Sequence, residues 1–377
     1  MRFVIAPDSF KGSLSAIEAA TIMKNAIINE LPNAEVTMVP MADGGEGTLE
    51  AFIHNERGRE IQIEVTGPLD EKIVAAYGVL DDEQTAVIEI AKIVGLPLVP
   101  FDKRNPYETT TYGIGEAIID AIERGYRKFI IGLGGSCTND GGLGMLQALG
   151  ATFRNTHGEL VGRCGKSLLQ VATVDFSAVH PLVHECQFLI ASDVDNPLCG
   201  KRGASYVYGP QKGATAHQIE ELDRALNRYA TIIEQTTGKS LENASGAGAA
   251  GGLGYAFLLL NGVIVSGAKL VANVTKLAEK LENADWVITG EGRSDGQTLN
   301  GKVPVFVALL AKKHGAKAIL ISGSLGEGYE KLYEHFISCS SIINEPMDLE
   351  KAMKNAKELL YLQTKNIVRI IKTKIQG

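Results

Sequence analysis

The sequence is poor in cysteine and histidine, on which disulfide frameworks, zinc sites and many nucleophilic active sites depend. Its five cysteines are odd in number and widely spaced, and it has seven histidines. The cysteines form no Cys-x-x-Cys pair, so neither a disulfide framework nor a zinc site is expected. Cys137 lies in a glycine-rich loop, but no histidine is near it in sequence to supply the base that a thiol nucleophile requires. We therefore do not expect Cys137 to be catalytic.

Long apolar runs and strongly basic stretches are also absent. The apolar window at residues 255–265 is too short and too interrupted to span a bilayer, and the start lacks the basic and apolar regions of a signal peptide. Lys and Arg number 37 against 44 Asp and Glu, which gives a net charge of −7. Without a basic stretch to neutralise phosphates, nucleic acid is not expected as a partner. These features predict a cytoplasmic globular protein that does not bind membranes.

The length and the order of apolar segments predict two α/β domains. A chain of 377 residues exceeds what one hydrophobic core usually supports. Apolar strands alternate with helical patterns at both ends of the chain, which is typical of an open, mostly parallel sheet. Between them, residues 59–91 alternate apolar and polar side chains, which favours an antiparallel meander. We predict a flavodoxin- or Rossmann-like domain from residues 1–65 and 280–377, with a mixed α/β domain inserted at 66–279.

The same patterns predict individual elements. Strands are expected within residues 2–6, 35–42, 285–292 and 316–326, and helices at residues 16–31, 47–53, about 304–314 and about 349–362. The glycine-rich residues 244–254 allow two interpretations, a flexible linker or a helix start where the backbone approaches another group closely.

The 42 glycines are concentrated in four loops. These are residues 41–48, 132–150, 246–254 and 289–302. Turn formation alone would scatter glycines, whereas adjacent glycines let a backbone approach a ligand and offer N–H groups to phosphate. Three of the loops also carry carboxylates, which repel phosphate unless a divalent cation lies between them. Together the loops predict Mg²⁺-nucleotide chemistry, although each one alone also fits an ordinary turn.

A further loop, at residues 190–200, carries Asp193 and Asp195 after an apolar strand. Alternation along an extended chain predicts that both carboxylates face the same side, where they could share a cation. An Asx turn before Pro197 is the alternative. Lys212 follows, between Gly209 and Gly213.

Seven segments, in this order, resemble the type-1 glycerate kinase family. They are residues 6–16, 40–48, 132–151, 192–200, 208–214, 246–256 and 289–304. The resemblance covers residues 1 to about 375 and implies a two-domain α/β architecture with the active site in the cleft between the domains. It also implies ATP-dependent phosphorylation of D-glycerate with Mg²⁺, with 2-phosphoglycerate as the expected product and 3-phosphoglycerate as the alternative. Cys137 departs from the pattern, since a small residue such as alanine is expected there.

Chemistry placed on the matching motifs assigns the catalytic roles. Lys11 is expected to hold a transferring phosphate or the glycerate carboxylate, because phosphoryl transfer requires positioning and charge stabilisation. Asp295 is the expected acceptor of the substrate hydroxyl proton, with Arg293 binding the carboxylate as a fork. The candidate metal ligands are Asp193, which we also count as catalytic, Asp195 and Glu291.

The remaining candidates are expected to bind substrate or phosphate. They are Asp8, Ser9, Asp43, Gly44, Gly45, Glu46, Gly134, Gly135, Ser136, Asn139, Asp140, Lys212, Arg293 and Lys302. Asn139 and Asp140 also lie where a helix is expected to begin, so either could be its N-cap instead. Ser13 or Ser15 is expected to cap the helix that follows the opening loop.

Two other classes of protein compete with the kinase. A hydroxy-acid dehydrogenase would bind a nicotinamide cofactor, but the G-x-G-x-x-G matches at residues 132–137 and 246–251 are imperfect. A non-catalytic sensor of small acids would not need so many loop carboxylates. The expected partners are therefore D-glycerate and ATP. The sequence is compatible with a homo-oligomer.

Overall fold

The fold is given by a computed structural model that describes residues 1–56, 58–299 and 301–373. The glycine loop at residues 289–302 is therefore described except at residue 300, and residues 57 and 374–377 of the predicted domains also lie outside the described ranges.

The strands follow one another along the chain. They are β1 Arg2–Ile5, β2 Glu35–Met38, β3 Arg59–Thr66, β4 Lys72–Val79, β5 Thr85–Glu89, β6 Lys128–Gly132, β7 Thr152–Arg154, β8 Thr173–Asp175, β9 Gln187–Ala191, β10 Val263–Val265, β11 Trp286–Thr289, β12 Arg293–Ser294, β13 Lys317–Ser322, β14 Ser324–Leu325 and β15 Ser338–Ser341.

The α-helices alternate with these strands. They are α1 Ala16–Glu30, α2 Thr48–Glu56, α3 Ala91–Val94, α4 Tyr112–Glu123, α5 Leu143–Ala148, α6 Ala204–Tyr208, α7 Ala216–Thr237, α8 Ala249–Leu259, α9 Gly267–Val274, α10 Leu277–Leu281, α11 Val303–Lys313, α12 Leu349–Lys354 and α13 Ala356–Thr373. Short 3₁₀ turns lie at Leu96–Leu98, Phe101–Lys103, Gly165–Gln170, Pro181–Glu185, Pro210–Lys212, Gly296–Leu299 and Tyr329–Glu334. None of the helices in the described ranges is long and apolar enough to cross a membrane.

The chain divides into two compact units. The first comprises Met1–Asp43, Glu50–Arg57 and Ala268–Gly377, and the second comprises Gly44–Leu49 and Gly58–Gly267. Each contains parallel strands together with helices, so the predicted α/β fold class is confirmed. Strand β3 belongs to the second unit, although the sequence predicts the boundary at residue 65, because β3 pairs with β4 from its first residue to its last.

The first unit contains a five-stranded parallel sheet in the order β15-β13-β11-β1-β2. Numbered along the chain, its strands run 5-4-3-1-2, which is the flavodoxin-like order. In this register, Ile5 of β1 is opposite Ile288 of β11 and Met38 of β2. The order of the strands reverses between β1 and β11. Such sheets bind ligands in the crevice at the carboxyl ends of the two strands flanking this reversal.

Helix α1 begins at a capping box. The hydroxyl of Ser15 accepts a hydrogen bond from the Glu18 amide, and the Glu18 carboxylate accepts one from the Ser15 amide, each at 3.1 Å. A cap of this kind contributes about 1 kcal/mol to helix stability. Ser15 is thus the capping residue of the two predicted, while the hydroxyl of Ser13 donates to the Phe10 carbonyl at 2.8 Å.

The second unit contains a six-stranded mixed sheet in the order β10-β9-β6-β5-β4-β3. Strands β5, β6, β9 and β10 are parallel, and the β3–β4 and β4–β5 pairs are antiparallel. The predicted meander is therefore confirmed. Along β3, the buried Ile61, Ile63 and Val65 alternate with the exposed Glu60, Gln62 and Glu64, which is the alternation from which the meander was predicted.

Two local predictions need correction, and one alternative is settled. Strand β15, Ser338–Ser341, was not predicted because its serines give no apolar signal, yet it pairs with β13. The single helix expected at residues 349–362 is two helices, because α12 ends at Lys354, with Asn355 as its C-cap, and α13 begins at Ala356. Of the two interpretations of residues 244–254, the helix start is confirmed, since α8 begins within this segment.

Candidate active site

The loop between β1 and α1 opens at the crevice of the first sheet. The Asp8 amide donates to the Gly290 carbonyl at 2.8 Å, which extends the pairing of β1 and β11 beyond the strand ends. The amide of Phe10 donates to the Leu14 carbonyl at 2.9 Å and closes a tight turn. Gly12 lies in this turn with a left-handed φ of +81°, a conformation that favours glycine. Lys11 is therefore presented at the tip of the loop.

Lys11 and Asp43 form an ion pair at this end of the sheet. The Lys11 ammonium lies 3.4 Å from the Asp43 carboxylate, and 63% of the lysine side chain is exposed. The negative charge of Asp43 raises the pKa of Lys11 against the opposing effect of burial, and Asp8 and Glu291 add to the rise. The lysine is therefore firmly cationic and accessible to an anionic ligand.

Asp8 is a buried carboxyl group beside this pair. It is 5% exposed, and its carboxylate accepts a hydrogen bond from the Ser9 amide at 2.7 Å. Burial and the charge of Asp43 raise the pKa of Asp8 well above its usual value, and Lys11 partly offsets this. A carboxylate with a raised pKa accepts a proton more readily than a carboxylate with the usual pKa.

Glu291 follows β11 and is held by two hydroxyl groups. Its Oε1 atom accepts hydrogen bonds from Ser294 and Thr298, each at 2.8 Å. Burial raises the pKa of Glu291, while these hydrogen bonds and the charge of Lys302 act in the opposite direction. The carboxylate is thus fixed in orientation at the end of the strand.

These groups line one cavity of about 730 Å³ within the first unit. Its polar wall includes Asp8, Ser9, Lys11, Asp43, Glu291, Arg293 and Lys302. Its apolar wall includes Phe10, Ile342, Ile343, Met347, Ala352 and Met353. The cavity therefore brings together seven of the predicted site residues, at the place where the flavodoxin-like strand order predicts a ligand.

Asp295 has other partners. Its carboxylate lies 3.4 Å from the Nε atom of Arg293 and accepts a hydrogen bond from the Gln297 amide at 2.9 Å. Among the described residues it is not part of the cavity lining, whereas Arg293 is. The role of Asp295 as a base remains a prediction, and Asp8 is a second candidate.

In the second unit, Lys212 supports the glycine-rich loop that follows β6. Its ammonium donates to the Ser136 hydroxyl at 2.9 Å and to the Thr138 carbonyl at 2.6 Å. Lys212 is only 2% exposed, and burial lowers its pKa to about 8. The lysine thus holds the loop from inside the unit, and the exposed Gly135 has a left-handed φ of +75° in the same loop.

Asp140 and Asn139 are buried at the end of this loop. The Asp140 carboxylate accepts hydrogen bonds from the amide and hydroxyl of Thr111, each at 2.8 Å, and from the amides of Gly142 and Gly144 at 3.0 and 3.3 Å. The carboxylate therefore joins Thr111, which precedes α4, to the start of α5, but the N-cap of α5 is Gly142 and not either of the two predicted residues. The Asn139 amide nitrogen donates to the Ser205 hydroxyl at 2.9 Å.

The glycine loop after Asp43 packs against the loop after β6. The Gly134 amide donates to the Gly44 carbonyl at 3.0 Å, and a Cβ atom on Gly134 would lie 2.3 Å from the Cα of Gly45. Close backbone approach therefore requires glycine here. Glu46 is exposed on the same loop.

Sequence analysis missed Glu89, which fixes this loop. Its buried carboxylate, at the end of β5, accepts hydrogen bonds from the Gly47 amide at 3.3 Å and the Leu49 amide at 3.0 Å. The available signal was an acidic residue at the end of an otherwise apolar, buried strand.

Asp193 and Asp195 have different partners. The Asp193 carboxylate accepts a hydrogen bond from the Gly267 amide at 3.0 Å, and that of Asp195 lies 3.2 Å from the guanidinium of Arg202. No group of three or more His, Cys, Asp or Glu side chains among the described residues is arranged to hold a metal ion. The shared cation site predicted from their alternation thus remains a prediction.

Comparison with known proteins identifies the family. The sequence profile described as the glycerate kinase family matches residues 3–372. The chain belongs to the glycerate kinase family. A Halalkalibacterium halodurans protein named glycerate kinase is 46% identical over 366 residues, which cover 97% of this chain and 96% of the relative. The Escherichia coli K12 protein named glycerate 2-kinase is 43% identical over 369 residues, which cover 97% of each chain.

A solved structure also resembles this member of the glycerate kinase family over its full length. The crystal structure of a Salmonella typhimurium LT2 protein matches it with a TM-score of 0.88 and 42% identity, covering 100% of both chains. The resemblance predicted from the seven segments is thus confirmed, as is the prediction that the chain is a kinase enzyme. Family membership favours the kinase over the dehydrogenase and the sensor.

Proposed function

We propose that the protein transfers the γ-phosphoryl group of ATP to D-glycerate in a Mg²⁺-dependent reaction, with the 2-hydroxyl as acceptor and 2-phosphoglycerate as product. The observation that carries this proposal is the cavity of the first unit. There Lys11 lies with the carboxylates of Asp8, Asp43 and Glu291 at the point where the strand order reverses. The relatives named glycerate kinase support the choice of substrate. We further propose that the enzyme acts in the cytoplasm.

The cations of the cavity wall suit two anionic substrates. Arg293 can bind the glycerate carboxylate through two parallel N–H groups. Lys11 and Lys302 are point charges suited to phosphate oxygens, where they would stabilise the charge that develops during transfer. In the second unit, we propose that Gly134, Gly135 and Ser136 bind phosphate through a loop that Lys212 keeps in place.

Phosphoryl transfer forms one O–P bond, breaks another and moves one proton. The substrate hydroxyl oxygen attacks the γ-phosphorus, the new O–P bond forms as the bond to the leaving ADP breaks, and the hydroxyl proton passes to a carboxylate. We propose Asp8 as this acceptor, because it lines the cavity and its raised pKa gives it affinity for a proton. Asp295 remains the competing candidate.

The donor set of the cavity fits Mg²⁺. Asp43 and Glu291 supply the hard oxygen atoms that this cation prefers, and the ion is usually held by one or two carboxylates together with substrate phosphates. Such a site does not require the three-residue protein cluster that is absent from the described residues. The chemistry that bound Mg²⁺ supplies is neutralisation of phosphate charge. Asp193 and Asp195 remain proposed ligands.

Two coupled assays test this proposal. ADP release in the presence of D-glycerate, with and without Mg²⁺, should be observed only when the acid and the metal are both present. Adding enolase alone should then consume the product, since enolase accepts 2-phosphoglycerate. If consumption requires phosphoglycerate mutase as well, the product is 3-phosphoglycerate. Absence of any phosphorylated three-carbon acid would overturn the proposal.

A further inference from the structure

The cavity of the first unit is larger than D-glycerate requires. Its volume is about 730 Å³, which is within the usual range of roughly 300–1,000 Å³ for sites that hold drug-sized ligands. A three-carbon acid would occupy only a small part of it. The cavity therefore has room for a second, larger ligand.

The two walls of the cavity differ in chemistry and come from different segments. The polar wall comes mainly from residues that follow β1, β2, β11 and β12, with Ser324 and Asp348 added to it. Apart from Phe10, the apolar wall comes from the segment after β15 and from α12, through residues that include Ile342, Ile343, Met347, Ala352 and Met353. A ligand that fills both parts must have one charged end and one flat or apolar end.

We propose that the apolar wall of this cavity binds the adenine base of ATP, with the triphosphate directed toward Lys11 and Lys302. The proposal rests on the proposed function, because it assigns the nucleotide of that reaction to the first unit. A purine offers broad apolar faces to aliphatic side chains. The flexible thioethers of Met347 and Met353 can adapt to such a face.

The two walls meet at Gly12. A Cβ atom on Gly12 would lie 2.7 Å from the terminal methyl carbon of Met353. The turn that presents Lys11 is therefore in contact with α12, so the apolar surface continues into the cationic surface. A nucleotide lying along this path would place its base on Met353 and its phosphates at Lys11.

Glycerate is a poor occupant for the apolar wall. Its carboxylate and hydroxyl groups would lose hydration there without gaining partners, which is unfavourable. A second cavity, in the second unit, does not compete for the phosphates. Its cation, Arg163, lies 2.6 Å from the Asp70 carboxylate and over the ring of Tyr112 at 4.3 Å.

The test compares two tryptophan substitutions on α12. Ala352→Trp fills the apolar part of the cavity, while Glu350→Trp adds the same side chain at an exposed position that does not line it. Titration calorimetry with ADP and with inorganic tripolyphosphate separates base binding from phosphate binding. Ala352→Trp should weaken ADP binding more than about tenfold and tripolyphosphate binding less than about threefold. Glu350→Trp should change neither.

Steady-state kinetics supply the second measurement. Ala352→Trp should raise the KM for ATP and leave the KM for D-glycerate within about threefold of the native value. If instead the KM for D-glycerate rises and ADP binding is unchanged, or if ADP and tripolyphosphate weaken equally, the base does not bind this wall. If Ala352→Trp does not fold, Met353→Ala should weaken ADP binding about three- to tenfold, and unchanged ADP binding in that variant would equally overturn the proposal. Native protein that binds ADP through this wall but does not phosphorylate D-glycerate would refute the proposed reaction and leave the base site standing.

Discussion

The buried ammonium of Lys212 donates a hydrogen bond to the hydroxyl of Ser136 across 2.9 Å. Its other acceptor is the Thr138 carbonyl, so both partners are uncharged. Burying a cation among neutral oxygens is unfavourable, and such groups are concentrated at functional sites. The unfavourable burial of Lys212 therefore indicates that this residue holds the loop after β6 in place for function and not for stability.

Stability should depend on pH through Lys212. Its folded pKa of about 8 lies below the usual value of about 10.4, so between these values the unfolded state binds more protons than the folded state. The contribution of Lys212 to the free energy of unfolding therefore rises with pH. From pH 7 to pH 10, the native protein should gain roughly 1–3 kcal/mol relative to Lys212→Met in denaturant titrations. The exposed Lys201→Met variant should follow the native profile, and identical profiles for all three proteins would contradict the burial effect.

Replacing each candidate base separates their roles. Asp8→Asn should lower kcat more than about a hundredfold if Asp8 accepts the proton, while Asp295→Asn should lower it less than about tenfold. The folded pKa of Asp8 is raised, so its contribution to stability falls as pH rises above the usual value, and Asp8→Asn should maintain or raise the melting temperature at pH 7. Steady-state assays and thermal melts give both quantities. The reverse ranking of kcat would identify Asp295 as the base.

Lys11→Met should affect activity far more than stability. Lys11 is largely exposed, and an exposed ion pair contributes only about 0–1 kcal/mol to folding. Its charge is proposed to act on a phosphate, so kcat/KM should fall about a hundredfold or more while the melting temperature changes little. Lys11→Arg, which retains the charge, should recover part of the loss. A large drop in melting temperature for Lys11→Met would show that the residue is structural.

Gly251 should tolerate no side chain. It has a left-handed φ of +71°, and a Cβ atom would lie 2.0 Å from the Thr138 carbonyl oxygen. Gly158 has a similar φ of +80° with nothing within 4 Å of the added atom. Gly158→Ala should therefore cost about 1–2 kcal/mol from backbone strain, and Gly251→Ala should cost a further 1–3 kcal/mol from the clash. Equal losses in denaturant titrations would mean that the Thr138 loop moves aside freely.

The fold was predictable where strands are apolar. Strands β1, β11 and β13 consist largely of buried aliphatic residues, and their alternation with helices predicted a parallel sheet. Strand β15 escaped detection, because it is held by pairing with β13 and not by its own hydrophobicity. Its position at the sheet edge depends on pairing with β13, and the apolar pattern of a strand does not reveal which polar segment pairs with it.

The site was predictable where a polar residue follows a strand. Asp8, Asp43 and Glu291 come after β1, β2 and β11, and carboxyl ends of parallel strands meet at one edge of a sheet. Side-chain partners were not predictable, because they depend on rotamers and on distant backbone atoms. Asp295 pairs with Arg293, and Glu89 holds a loop forty residues earlier in the chain.

The pairing of β1 with β11 has a consequence for synthesis on the ribosome. Phe3 of β1 pairs with Trp286 of β11, so β1, an interior strand of the first sheet, lacks this neighbour until most of the polypeptide has emerged. Every strand of the six-stranded sheet lies between Arg59 and Val265 and is translated before β11. The nascent chain can therefore complete the sheet of the second unit before β1 pairs with β11. During translation, β1 is thus the strand most exposed to mispairing.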